Sequence, residues 1–433
     1  MANIAVIARK IVNKFMIKMK KPELLAPAGN LEKLKTALAH GADAVYCGVP
    51  DFSLRTRINE FSLADIKRGV AYARTLGKKA YITLNVIARE QQLTKLRAHV
   101  RQLKAINPDA LFIADPGVLA VVQSVWPQAR LSLSTQANCI NSESANFWSK
   151  QGFKRLILSR ELSLKEIAAI KKKTGKTEIE VFVHGALCSS YSGRCFLSDY
   201  FIGRSANSGD CAQPCRWEYE IKPAGHDKSL LIGEDGHGTY LLNSKDLCLI
   251  ERLPEIIAAG VDALKIEGRA KSVYYLANVV GAYRQAIDLV CSGQSKIKIK
   301  KQLAFLKKEL TEKLNQRGYT EGFMFKESDS MQNYHGNFPS SPWEFCGQVI
   351  SSRRVGSGYE LNLKVHNTLL ASDELELIGP SYQIAQLTAE GLRDAVTKER
   401  LSEAHGGGGN QVVTISSLQN WPVYSVLRRR LKK

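Results

Sequence analysis

Short apolar runs alternate with amphipathic stretches from residue 22 to about 293, and the alternation keeps a nearly even spacing. Glu23–Ala28, Ala42–Cys47, Lys79–Val86, Ala110–Asp115, Leu131–Gln136, Arg155–Arg160, Glu178–His184 and Asp262–Glu267 are brief and rich in apolar or β-branched residues. Such runs read as strands buried on both faces. Between them, stretches such as Leu31–His40, Leu63–Leu76, Leu93–Ile106, Ser142–Gln151 and Leu164–Lys173 repeat apolar residues at helical spacing. Eight strand–helix units of this size predict an α/β fold, a TIM-like (β/α)8 barrel over 22–299. A doubly wound open sheet is the alternative, but no G-x-G-x-x-G follows the first strand.

The spacing breaks once. Between the seventh and eighth strands lie 77 residues, comprising a cysteine-bearing insertion at 185–238 and an expected helix near Ser244–Ala259. An insertion after a strand's C-terminal end lies on the face where barrel enzymes place their sites. Beyond the barrel, 300–317 reads as a charged helix within a linker over 300–339. Gly347–Ser352, Tyr359–Val365, Glu374–Ile378 and Gln411–Ser416 then read as short strands, with Gly406–Gly409 as a turn. They predict a small C-terminal β-barrel domain over 340–433. Its end, LRRRLKK, reads as a solvated basic tail within reach of RNA phosphates.

Composition narrows the class. A chain of 433 residues implies two or three domains. Its net charge of +20 favours a polyanionic partner, nucleic acid or an anionic membrane, over a merely basic surface. No run approaches 18 apolar residues, so no membrane-spanning segment is expected. The expected location is the cytoplasm, where thiolates persist.

Four of the nine cysteines fall in one segment: Cys188, Cys195, Cys211 and Cys215. The others, Cys47, Cys139, Cys248, Cys291 and Cys346, sit singly in apolar or helical contexts, and no signal peptide points to an oxidising compartment. Disulfides therefore fit poorly. Structural zinc prefers two tight knuckles, whereas here only Cys211 and Cys215 are closely spaced. Loose spacing suits a [4Fe–4S] cluster first, zinc second and bystander thiols third.

The same segment carries a resemblance. E-x-F-x-x-G-A-L-C-x6-C at Glu180 to Cys195 resembles the signature of the collagenase-like peptidase family. KPELLAPAGN at 21–30, GADAVYCG at 41–48, FSLRTRINEF at 52–61, LSTQANCIN at 133–141, LILSRELSL at 156–164, LKIEGRAKSVYY at 264–275 and RGYTEGF at 317–323 extend it. Together they resemble the tRNA-hydroxylating branch of that family. The resemblance implies hydroxylation of wobble uridine at C5 in the anticodon region of tRNA, with the dicarboxylate prephenate as hydroxyl source. Sister branches imply ribosomal RNA or a small aromatic as substrate, and the family name implies a peptidase. Some branches place the fourth cysteine farther downstream, which makes Cys248 the alternative to Cys215. The family-like start falls at Met19, so the basic residues of 1–21 read as a dispensable extension rather than a membrane-surface helix.

Polar residues at strand ends should point into a barrel's mouth. They are Asn85, Asp115, Gln136 with Asn138, Arg160 with Glu161, His184, and Lys265 with Glu267 and Arg269. Arg160, His184, Lys265 and Glu267 are the catalytic candidates; Arg55, Arg57, Asn85, Gln136, Asn138 and Arg269 are the substrate-binding ones. Arg160 and Arg269 suit a dicarboxylate because guanidinium grips carboxylates in a bidentate way. The rival reading pairs them internally with Glu161 and Glu267, and makes His184 a core histidine. Arg55, Arg57 and Asn59 form a basic loop beside the site. Aromatics near basic residues, at Trp217, Tyr219, Tyr274, Tyr275 and Tyr319, suit base stacking or core packing. A peptidase reading finds no G-x-S-x-G around Ser189, Ser190 or Ser192 and no H-E-x-x-H.

Overall fold

Strands with no water-facing side must be covered by helices, and Ala44–Gly48 is such a strand, with all five residues buried. The computed structural model describes residues 20–54, 59–188, 190–217, 234–235, 238–239, 244–325, 341–407 and 411–431. Expectations for 1–19, Arg55, Arg57, Ser189, Tyr219, most of 218–243 and the linker from 326 to 340 lie outside the described residues.

Eight parallel strands form the barrel: β1 (Glu23–Pro27), β2 (Ala44–Gly48), β3 (Lys79–Leu84), β4 (Ala110–Ile113), β5 (Leu131–Leu133), β6 (Phe153–Ile157), β7 (Glu178–Ala186) and β8 (Ala263–Ile266). The closure is explicit, because Leu264 of β8 lies opposite both Leu24 of β1 and Val181 of β7. Helices α1 (Leu31–Ala39), α2 (Leu63–Thr75), α3 (Leu93–Ile106), α4 (Pro116–Val125), α5 (Ser142–Lys150) and α6 (Leu164–Lys173) cover the outside. Most begin on a capping side chain: Asn30, Ser62, Asp115, Asn141 and Ser163 each accept a first-turn N–H. Such a cap is worth ~1 kcal/mol. Asp115 is thereby spent on capping α4, not on the mouth.

The N-terminal half of the barrel is plugged by charge. Arg155 meets Glu23 at 2.6 Å, Glu178 at 2.8 Å and Glu180 at 3.2 Å. Lys265 meets Glu180 at 3.0 Å from above. After β7 the insertion carries α7 (Leu197–Ile202). The helix expected at Ser244–Ala259 is shorter than its pattern suggests. Asp246–Cys248 is instead a strand antiparallel to β7, and only Leu253–Ala258 is helical, as α8. Helices α9 (Val273–Val290) and α10 (Lys296–Lys313) follow.

The C-terminal domain has its own apolar core around Leu361, Leu363, Leu375, Leu377 and Leu427. Its strands are β9 (Trp343–Val355), β10 (Gly358–Val365), β11 (Glu374–Ile378), β12 (Ile384–Thr388), β13 (Val412–Ser417) and β14 (Val426–Arg430). With Arg393–Asp394 they make a seven-stranded antiparallel sheet in the order β12-β11-β14-β9-β10-β13 and then 393–394. Thr368–Leu370 and Glu403–His405 form a second, two-stranded sheet.

One expectation is overturned here. The basic end is not a solvated tail: β14 lies between β11 and β9, and Arg428 is fully buried. It donates to Glu309 of α10 at 2.7 Å, to Glu376 of β11 at 2.7 Å and to Asn278 of α9 at 3.0 Å. Two carboxylates from different domains draw the arginine in, and these bonds tie the sheet domain to the outside of the barrel. Gln348 adds a bond to Thr36 of α1 at 3.2 Å, and His40 one to the Tyr424 carbonyl at 2.9 Å.

Candidate active site

A cavity of about 360 Å³ opens above the charged plug, at the C-terminal ends of the strands. Its floor is aromatic. The Lys265 Nζ lies 3.9 Å from the centre of the Tyr46 ring and 4.0 Å from that of Phe112. Cation–π contact of this kind holds an ammonium where water is scarce. Burial pushes the Lys265 amine down to about 8, and the Glu180 carboxylate pulls in the other direction. Tyr46 caps the adjoining wall by donating to the Ile266 carbonyl at 3.0 Å and to Glu267 at 3.3 Å.

Both arginines singled out from the strand ends line this cavity. Arg160 lays its guanidinium 3.9 Å over the Phe182 ring, stands 3.8 Å from Glu267 and 3.9 Å from the Cys188 sulfur. Its Nε is buried without a hydrogen-bond partner among the described residues. Glu161 is not its mate, since that carboxylate accepts from the Ser192 N–H at 2.6 Å and hydroxyl at 3.0 Å. Arg269 donates to neutral oxygens: Ser53 at 3.5 Å, Thr83 at 3.4 Å and the Leu54 carbonyl. Lys265, Glu267, Asn85 and Gln136 line the cavity too. Asn85 bridges Leu54 at 3.1 Å and Ser134 at 3.2 Å.

Two candidates fall elsewhere. Asn138 lies outside the cavity lining, holding Ser159 at 3.3 Å from a left-handed backbone position. His184 is displaced by a register shift: Phe182 faces Lys265, but the next paired residues are His184 and Ile266. This bulge moves His184 to the outer face of β7, where its ring sits 5.4 Å from Tyr283 and 5.3 Å from Tyr319. Both ring nitrogens lack hydrogen-bond partners among the described residues, and burial lowers its pKa to about 3.

The four clustered cysteines all line the cavity, and none is in a disulfide. The Gln213 N–H points at the Cys211 sulfur at 3.3 Å, the kind of bond that tunes a metal thiolate. In kind, four thiols on one cavity wall fit a thiolate-ligated metal. In position they are not gathered: no three His, Cys, Asp or Glu side chains converge on a common point among the described residues. Cys248 is not part of the wall. It is buried behind β7, with burial pushing its thiol up to about 11. Sequence reasoning missed the floor rings Tyr46, Phe112 and Phe182, whose only signal was an aromatic at an inward strand position.

Residues 29–333, which include all of this cavity, match the profile of a family described as Peptidase family U32. The chain belongs to peptidase family U32. Among its relatives, tRNA hydroxylation protein P of Haemophilus influenzae is 38% identical over 409 residues, covering 84% of this chain and 87% of that protein. The Escherichia coli protein of the same name is 39% identical over 422 residues, covering 87% and 90%. A further relative, the 23S rRNA 5-hydroxycytidine C2501 synthase of E. coli, is 40% identical over 268 residues, covering 62% of this chain and 39% of that protein. No histidine occurs among the described lining residues, so among them no Ser–His or Cys–His pair is present. Among the described residues no helix is long and apolar enough to cross a membrane.

Proposed function

We propose that this chain hydroxylates RNA, and specifically C5 of the wobble uridine in the anticodon region of tRNA, with prephenate as hydroxyl source. What most supports the reading is the joint presence of three cations, Lys265, Arg160 and Arg269, in one aromatic-floored cavity, in a chain alike over most of its length to proteins named for tRNA hydroxylation. Two carboxylates entering such a site need fixed positive charge, and planar guanidinium forks supply it with orientation. Glu267 stands 3.8 Å from Arg160, beyond hydrogen-bond distance. Cys188, Cys195, Cys211 and Cys215 would hold a [4Fe–4S] cluster, which when bound supplies one-electron redox chemistry beside the cavity. The buried position of Cys248 favours Cys215 as the fourth ligand.

Nucleoside mass spectrometry of a deletion strain tests the reading. Loss of 5-hydroxyuridine-derived nucleosides from tRNA is the expected result. An unchanged tRNA profile with altered ribosomal RNA would transfer the activity to the sister substrate. Iron analysis of anaerobically matured protein tests the ligand set: Cys215→Ala should lose iron that Cys248→Ala keeps, and zinc alone would remove the cluster from the account.

A further inference from the structure

Exposed aromatic rings crowd the insertion that supplies part of the cavity lining. Tyr191 is 63% exposed, Phe196 73%, Tyr200 83%, Phe201 46% and Trp217 40%. All five belong to the insertion, and Tyr191 and Phe196 also line the cavity itself. Each ring is a large apolar surface that a folded protein ordinarily covers, and a cluster of them marks a contact site. Tyr200 and Phe201 stand edge to face, with ring centres 5.4 Å apart, at the end of α7.

The segment that presents them is fastened to the barrel. Gly193 has φ +76°, and a Cβ there would come 2.0 Å from the Gln136 carbonyl oxygen, so only glycine allows this approach. Glu161 grips Ser192 and the Asn207 carbonyl accepts from the Ile87 N–H at 3.1 Å, while within the insertion Arg204 pairs with Asp210 at 2.9 Å. The rings therefore project from an anchored rim.

Their setting points to one kind of partner. They are interleaved with serine, glycine, asparagine and the exposed Arg194, so polar groups and a cation lie beside the ring faces. The chain's +20 charge complements a phosphate backbone. Unpaired bases stack on aromatic faces whatever their identity, while duplex bases are already stacked and cannot reach them. We propose that Tyr191, Phe196, Tyr200 and Trp217 form a stacking platform for unpaired RNA bases beside the cavity that takes the target nucleotide. The platform rests on the RNA reading above and adds the residues that hold the unpaired bases around the target.

Fluorescence anisotropy with the full chain tests it, using an RNA stem closed by a seven-nucleotide loop and a fully paired duplex of equal length. The open loop should bind more tightly than the duplex. Phe196→Ala with Tyr200→Ala should weaken loop binding by roughly ten-fold or more, leave duplex binding and the salt slope unchanged, and keep the melting temperature. Tyr200→Phe, which keeps the ring, should bind as the parent does. Loop preference that survives the double substitution would overturn the platform alone. Failure of both RNAs to bind would overturn the RNA reading with it. A parent dimer that becomes monomeric in the double variant, seen by light scattering, would assign the rings to a second copy of the chain and also overturn the platform.

Discussion

Arg428 and Arg160 are both arginines held out of bulk water, and they sit in opposite surroundings. Arg428 is enclosed by Glu309 and Glu376, with Asn278 and Tyr382 within 3.3 Å, in the seam between the two domains. Arg160 has a ring face, a sulfur at 3.9 Å and one carboxylate at 3.8 Å, and it faces a cavity. Arg269 shares that cavity and donates to neutral oxygens. The seam arginine is saturated by carboxylates, so its work is done on folding. Arg160 lines the cavity with a single carboxylate, at 3.8 Å, among its described partners. Burial alone therefore says little about an arginine's role; the charge count around it says more.

The sharpest way to break the contrast is to remove the saturated partner. Arg428→Ala leaves Glu309 and Glu376 sharing Lys313 alone, at 3.1 and 2.8 Å, and breaking a buried ionic network in this way costs up to about 3–5 kcal/mol. Urea denaturation should show a loss of that order, and deletion from Arg428 onward should do at least as much. A deletion that unfolds like the parent would return the segment to the solvent.

Acid should loosen the same two regions. Burial lowers the pKa of His40, at the seam, to about 4 and that of His184, behind the cavity wall, to about 3. Below pH 6.5 the unfolded chain takes up protons that the native one refuses, so stability present above pH 6.5 falls as pH drops toward 4. The slope is up to about 1.4 kcal/mol per pH unit for each histidine. His184→Phe should flatten the curve in urea titrations at pH 7, 6 and 5; an unchanged slope would mean the ring is not buried neutral.

Arg160→Lys and Arg269→Lys make the smallest change, keeping charge and losing the fork. Each should raise the KM for the dicarboxylate ten-fold or more, about 1.4 kcal/mol, with the melting temperature unchanged. Lost folded yield with a normal KM would place these residues in the same class as Arg428.

The barrel could be read from the sequence because its strands are short, apolar and evenly spaced, Arg160 and Arg269 because they follow strand ends, and Lys265 because it is a charge near the end of the apolar eighth strand. What escaped depended on distant partners or on a single extra residue. Arg428 looked like a tail because the acids that draw it in lie 119 and 52 residues away. The β7 bulge reverses the inward parity at His184, and no spacing in the segment announces it. Tyr191, Phe196 and Tyr200 sit among serines, glycines and cysteines with no period that marks a face.

The most direct measurement gives the purified, anaerobically matured chain tRNA from a strain lacking its gene, together with prephenate, and weighs the resulting nucleosides. Gain of one oxygen on the wobble uridine, dependent on prephenate and weakened by Arg269→Lys, is the predicted outcome. Unmodified tRNA alongside cleavage of a peptide substrate would contradict the account.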